Sequence, residues 1–248
     1  MTEKSKVSII VVAFDHPDYL MKTLKSITES TDYPNYELII SDNSIGLQVE
    51  KEIEDVCKEA ASFDGPSRFV YQKNTQNLLH GRGCMAGFEQ SDPKSEFICF
   101  CNDDIFIPLS QANWLRRLVE FLETAPNVAT ITPSLYTHKE KLYWCGKQDS
   151  KKPLHDYLHL PRGDQRIPTE PIETCYNNMA VLLTRKNLVE NFPIGQTCVH
   201  YGSDSEFGNR IKKQYPKMVH MVLPEIKLYH YNIYNKRINH GQDKRIEG

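Results

Sequence analysis

The sequence contains no Cys-x-x-Cys pair, and its seven cysteines, at 57, 84, 99, 101, 145, 175 and 198, are odd in number and scattered. That spacing argues against a zinc ribbon or finger and against a disulfide framework. It leaves reduced, mostly buried thiols in a cytoplasmic compartment as the expectation. There is no apolar run of about 18 residues, and the polar opening Met-Thr-Glu-Lys-Ser-Lys lacks the apolar core of a signal peptide. The expectation is therefore a soluble protein, peripheral to a membrane at most. Charge of one sign is also missing: the net value of -2 gives no global reason to expect nucleic acid or an anionic membrane as partner. No linker composition and no internal repeat divides the 248 residues, so one large domain is expected.

Against these absences stands Phe97-Ile-Cys-Phe-Cys-Asn-Asp-Asp-Ile-Phe-Ile107, an apolar run interrupted by Asn102, Asp103 and Asp104. With no polar residue alternating through it, the run reads as a strand buried on both faces. Carboxylates directly after such a strand sit at its carboxyl end, the edge where open α/β sheets bind ligands. Two adjacent Asp side chains repel, and oxygen-only ligation suits Mg²⁺ or Mn²⁺ bridging to substrate phosphates. A plain polar turn is the other reading, since Asn and Asp favour turns in any case.

The remaining pattern alternates strands and helices. Val7 to Phe14 is a second β-branched apolar run, followed by a helix opening near Pro17 with Leu20, Leu24 and Ile27 at helical spacing. Strands are expected at Tyr36–Ser41 and Arg68–Tyr71, with a helix from Leu47 to Ala61 between them. Such β-α-β-α-β order implies a parallel sheet with right-handed crossovers. Gly81, Gly83 and Ala86 fit the G-x-G-x-x-[GA] dinucleotide fingerprint, which would imply an NAD(P)-type enzyme. No strand feeds these glycines directly, so they read better as room for a helix to begin close to the sheet, with Arg82 free to meet phosphate. Farther on, a helix over Trp114–Glu123 and strands at Val128–Pro133 and Leu142–Cys145 are expected, then a long polar loop from Gly146 to Glu170. Ile172–Leu183 reads as one strand interrupted at Asn177-Asn178, with a short helix near Lys186–Glu190. Ser203 and Glu206 have capping-box spacing, so a helix starts there with Asp204 in its first turn. Met218–Leu223 and Ile226–His230 read as two short strands around Pro224-Glu225.

Taken together, the first strand, Ser41-Asp-Asn-Ser44, Asn102-Asp-Asp104, Tyr201-Gly-Ser-Asp-Ser-Glu-Phe-Gly-Asn-Arg210 and the strand ending in His230 resemble the family 2 glycosyltransferases of the GT-A fold, in particular their rhamnosyltransferase-like members. The resemblance spans roughly residues 6 to 231. It implies an α/β fold: a single Rossmann-like domain with a mostly parallel sheet flanked by helices and a smaller acceptor-side β region. Residues 6–135 would form the nucleotide-sugar-binding half, 136–231 the acceptor and catalytic half, and 232–248 a polar basic tail. It further implies that Ala13, Phe14, Asp42, Asn43, Arg82, Asn102 and Asp103 serve the nucleotide sugar, most simply a UDP-sugar. Asp104 and His230 would hold Mn²⁺ or Mg²⁺. Asp204 would be the catalytic base of an inverting transfer, with Glu206 the alternative base. The acceptor would be a glycan, a lipid-linked sugar or another hydroxyl compound. Basic residues in the 146–170 loop (Lys147, Lys151, Lys152, His155, His159, Arg162, Arg166) and in the tail would suit an anionic acceptor, nucleic acid included. The chain departs from the family pattern at Asn102, Ser203 and Glu206, which also admits a nucleotide-sugar-binding or glycan-binding module without catalysis.

Overall fold

The computed structural model describes residues 4–148, 151, 156–199 and 202–231. Its elements run β1 (Val7–Ala13), α1 (Pro17–Glu29), β2 (Tyr36–Asp42), α2 (Leu47–Ala60), β3 (Phe69–Lys73), α3 (Leu79–Phe88), β4 (Phe97–Asn102) and β5 (Ile105–Phe106). Then come α4 (Trp114–Thr124), β6 (Val128–Tyr136), β7 (Leu142–Trp144), β8 (Ile172–Thr174), β9 (Val181–Arg185), α5 (Lys186–Asn191), α6 (Ser203–Gln214) and β10 (Val219–His230).

All ten strands join one sheet in the order β3-β2-β1-β4-β9-β6-β10-β5, with β7 added on β6 and β8 on β10. The first four strands are parallel, as the alternating order requires. Beyond β4 the sheet is mixed: β9 runs antiparallel to both β4 and β6, and β10 is parallel to β6. The apolar runs are buried on both faces because helices cover both. Along β1, Val7, Ile9, Val11 and Ala13 pack with α1, α2 and α4, whereas Ile10 and Val12 pack with α3, α5 and α6. Cys99 and Cys101 share the first of these faces. All seven thiols are free, and burial raises the pKa of both Cys84 and Cys99.

Gly81 and Gly83 of the would-be dinucleotide fingerprint lie inside α3 together with Gly87, and all three are spacing devices. A Cβ on Gly87 would collide with Ile10 Cγ2, and one on Gly83 would sit 2.6 Å from Asn43 Nδ2 and 2.9 Å from Val12 Cγ1. The helix thus lies directly on β1, and no glycine loop follows β1 to cradle a dinucleotide.

Three expectations about elements need correcting. Ile172–Leu183 is two strands in different places: β8 is an outlying strand on β10, and β9 is inserted in the middle of the sheet. Conversely, the two short strands at the C-terminal side are one, β10, whose register shifts between Leu223 and Lys227 so that Pro224 is carried in a bulge. Ser203 is not the cap that the capping-box spacing implies: the N-cap of α6 is Gly202 at φ 84, Ser203 is the first helical residue, and the Glu206 amide donates to the Gly202 carbonyl (2.8 Å).

A buried polar chain fixes α6 to the sheet. Asn177 Nδ2 donates to Thr130 Oγ1 (2.9 Å), Thr130 Oγ1 lies 2.7 Å from His220 Nδ1, and His220 Nε2 lies 3.2 Å from the Gly208 carbonyl. A neutral His220 with its proton on Nε2 satisfies every link, and burial lowers its pKa from 6.5 to about 4.

Candidate active site

Parallel pairing brings the carboxyl ends of three strands to one edge, with Ala13 opposite Asp42 and Val12 opposite Asn102. The chain turns sharply after β4, and that turn is held in place. Asp103 Oδ2 accepts the Phe14 amide (2.8 Å), and its carbonyl accepts the Thr23 hydroxyl (2.8 Å). Asp103 thereby ties the turn to the end of β1. Asp104, 3 % exposed, faces the last residue of β10: its Oδ1 lies 3.0 Å from Nε2 of His230, itself 2 % exposed. The Asp104 carbonyl also accepts the Tyr231 amide, and the Tyr143 ring from β7 sits edge-on to His230 at 4.6 Å.

Asn102 is the hub of a wider contact chain. Its Nδ2 lies 3.3 Å from His230 Nε2 and its Oδ1 lies 3.2 Å from His80 Nε2, while His80 Nδ1 reaches Ser203 Oγ at 3.4 Å. Residues from α3, β4, α6 and β10 therefore meet at one point, and Asp204 stands next to it in the first turn of α6.

Asp204 accepts the Ser205 amide at 2.7 Å. Burial pushes its carboxyl above the usual 3.8, and backbone amides, including that of Met179, offset only part of the rise. A raised, buried carboxylate at a helix N-terminus is suited to accept a proton. Glu206 is not placed with it. Two residues along a helix is more than half a turn, and Glu206 instead faces the 193–197 segment, with Oε1 3.5 Å from Arg210 and 3.4 Å from the Thr197 amide. Arg210 in turn donates to the Pro193 carbonyl (2.7 Å). That pair fastens the loop before α6.

Asp42 and Asn43 are at the expected edge but turned inward. Asp42 has no exposed surface, and its oxygens accept the Ser44 amide (2.8 Å) and the Tyr71 hydroxyl (2.9 Å). Asn43 bonds Asn74 and the Leu79 carbonyl, bracing the start of α3. Both brace the sheet edge from within. Ala13 is buried too, whereas Phe14 is half-buried at the rim and Arg82 is exposed on α3. Two non-glycine residues at the same edge hold positive φ, Asp15 (56°) and Leu79 (61°), strain of the kind that gathers at working sites.

The donor set fits a hard divalent cation. Asp104, in the turn after β4, offers carboxylate oxygen and His230, the last residue of β10, a ring nitrogen, with Oδ1 and Nε2 3.0 Å apart. Among the described residues no cluster of three or more ligating side chains exists. Two protein ligands suit a cation that completes its shell with phosphate oxygens and water.

The polar loop supplies fewer free cations than its composition implies. Lys147 is buried, Arg162 pairs with Glu140 (3.1 Å) and Arg166 with Asp164 (2.7 Å). Lys152, His155, Tyr201 and the basic tail lie outside the described residues. No described helix is long and apolar enough to cross a membrane. His80 and Tyr143 had no sequence signal, since neither sits in a recognisable motif and each acts through partners more than 20 residues away.

The family model described as "Glycosyl transferase family 2" matches residues 8–188. No curated protein matches significantly. Among solved structures, GalNAc-T7 with UDP, GalNAc and Mn²⁺ superposes with a TM-score of 0.70 at 13% identity, covering 93% of this chain and 44% of that one. The mannosyltransferase PcManGT from Pyrobaculum calidifontis, in complex with GDP-Man and Mn²⁺, gives a TM-score of 0.63 at 12% identity, covering 93% of this chain and 58% of that one. This chain thus spans about half the length of either. At such identities the likeness concerns the fold, and the fold is that of these transferases.

Proposed function

Since the chain belongs to glycosyl transferase family 2, we propose that it is an inverting, metal-dependent glycosyltransferase moving a sugar from a nucleotide sugar, most simply a UDP-sugar, to an acceptor hydroxyl. The observation that carries the proposal is the meeting of Asp104 and His230 at 3.0 Å beside the helix turn that bears Asp204. The family match ends at residue 188, so the roles given to Asp204 and His230 rest on where the fold puts them.

In this reading residues 6–135 form the donor half. Phe14 at the rim and Ala13 behind it, with Asp42 and Asn43 as backing, shape the nucleoside pocket, while Arg82 and Asn102 face the phosphates. Asp103 locks the turn to β1. Asp104 and His230 would hold Mn²⁺ or Mg²⁺, which supplies charge neutralisation for the departing diphosphate. From the 136–231 half, Asp204 takes the proton of the acceptor hydroxyl as that oxygen attacks the anomeric carbon opposite the leaving group. One displacement inverts the configuration and calls for no enzyme nucleophile. Seven free thiols fit a cytoplasmic setting. The rhamnosyltransferase-like subtype and the choice of acceptor belong to the same proposal.

A panel of UDP-, dTDP- and GDP-sugars, scanned by thermal shift with and without Mn²⁺ and then assayed for released nucleotide, tests it. Binding to the native state raises the midpoint. A metal-dependent shift with turnover supports the enzyme. A shift without turnover leaves a binding module, and no shift with any donor rejects both.

A further inference from the structure

We propose that His80 is a positioning residue that registers the helix carrying Asp204 against the strand end carrying Asn102 and Asp104. The inference rests on the glycosyltransferase reading above.

The two parts of the site lie about 100 residues apart in the chain, and Asp204 belongs to no strand that could pair with β4. The donor-side turn closes β4, whereas Asp204 belongs to α6, which lies with α3 on the same face of the sheet. Something must set the distance between them, because a displacement of about 1 Å in a reacting geometry costs on the order of a hundredfold in rate. The backbone at 179–180 is one tie, since the Ala180 carbonyl accepts the Asn102 amide and the Met179 amide bonds Asp204, and the His80 side chain is a second. Its Nε2 lies 3.2 Å from Asn102 Oδ1 and its Nδ1 lies 3.4 Å from Ser203 Oγ, the residue preceding Asp204. With Nε2–H donating to the Asn102 carbonyl oxygen, Nδ1 is left to accept the Ser203 hydroxyl proton, so the neutral ring serves both contacts at once.

The surrounding backbone is built for this approach. Gly81 follows His80, and a Cβ there would sit 2.8 Å from the Gly195 Cα and 3.2 Å from the Ser203 Cβ. Gly195, at φ 74, meets Gly81 from the other side, and the Gly81 amide donates to the Val199 carbonyl (2.8 Å). Only with both side chains absent can the start of α3 lie against the segment leading into α6. Just upstream, Leu79 holds φ 61, a strained backbone for a leucine. The ring then passes its constraint onward, since Asn102 Nδ2 lies 3.3 Å from His230 Nε2. One arm of His80 therefore serves the donor side and the other serves the helix of the base.

Two conservative substitutions separate the arms. Gln places its amide nitrogen near the Nε2 position and keeps the Asn102 contact. Asn reaches only the Nδ1 position and keeps the Ser203 contact. UDP and GDP binding are measured by calorimetry with Mn²⁺, and turnover by nucleotide release from UDP-glucose and GDP-mannose with water as acceptor. H80Q should bind nucleotide within about twofold of the parent and lose roughly tenfold in kcat. H80N should keep kcat within about threefold and weaken nucleotide binding by roughly five- to tenfold, and H80A should do both. Gln and Asn variants that behave alike, whether parent-like or failing together with a lowered melting midpoint, overturn the proposal. A parent that binds neither nucleotide and releases none instead overturns the glycosyltransferase reading, and the role of His80 with it.

Discussion

Asp204 is a buried carboxyl whose pKa is raised, so two consequences can be separated by pH. As the proposed base it would work only when ionised, and its activity limb should rise at a pH above the ordinary carboxylate value of 3.8. Stability has the opposite sign. A raised folded-state pKa contributes stability that is full below the unfolded value and lost as pH climbs through the folded one. Asp204→Asn, which can still accept the Ser205 amide, should therefore melt no lower than the parent at neutral pH while losing on the order of a hundredfold or more in transfer. Donor calorimetry should be unchanged; transfer within a few-fold of the parent would move the base elsewhere. Asp104→Ala is the complementary variant. It should remove Mn²⁺-dependent nucleotide binding and leave the circular dichroism spectrum intact, and an unaltered Mn²⁺-dependent affinity would dismiss the ligand role.

For the elements, the glycines of α3 offer a graded test of close packing. Gly87→Ala and Gly83→Ala push a methyl into Ile10 and into Asn43 and Val12, inside a buried sheet. Each should cost about 1–3 kcal/mol in denaturant unfolding, as overpacking does. Gly163→Ala meets nothing within 4 Å and has only its φ of 91° to set against it, so its cost should stay near 1 kcal/mol. Equal costs at all three sites would mean that backbone freedom, not space, explains them. Sequence patterns conveyed these elements unevenly. Nearly continuous apolar runs marked β1 and β4 almost to the residue, because a strand buried on both faces leaves little room for polar alternation. They could not show that Ile172–Thr174 and Val181–Arg185 belong to different parts of the sheet, since the partners are set by tertiary pairing. The shifted cap of α6 has a similar cause: Ser203 faces His80 across the cleft, and Gly202 turns the chain instead. Asp104 and His230 stand out in the sequence only through the resemblance, and the fold sets them 3.0 Å apart, whereas the contacts of His80 exist only once α3 and α6 are docked.

At the level of the whole molecule, His220 couples stability to acidity. Its folded-state pKa is lowered from 6.5 to about 4, so the stabilisation is complete above 6.5 and drains away as pH falls toward 4. The full span amounts to about 3 kcal/mol at ~1.4 kcal/mol per pKa unit. Denaturant midpoints measured between pH 7.5 and 4.5 should fall accordingly, and His220→Gln should flatten that slope while lowering the neutral-pH value. A variant that retains the parent's acid slope would assign it to other groups. The buried chain through Thr130, Asn177 and Gly208 gives the loss a specific place, because it holds α6 against the sheet.

The position of β9 has a consequence for how the protein is made. Residues 181–185 fill the gap between β4 and β6, both of which are synthesised earlier. Until that segment leaves the ribosome, the nascent chain carries two strands, of six and nine residues, with open inner edges, each a template for pairing with a neighbouring chain. Sheet closure across so wide a sequence interval is slow. Fragments ending before residue 181 should therefore aggregate, and yield in the cell should depend on holding those two edges apart until the single five-residue strand arrives to join them.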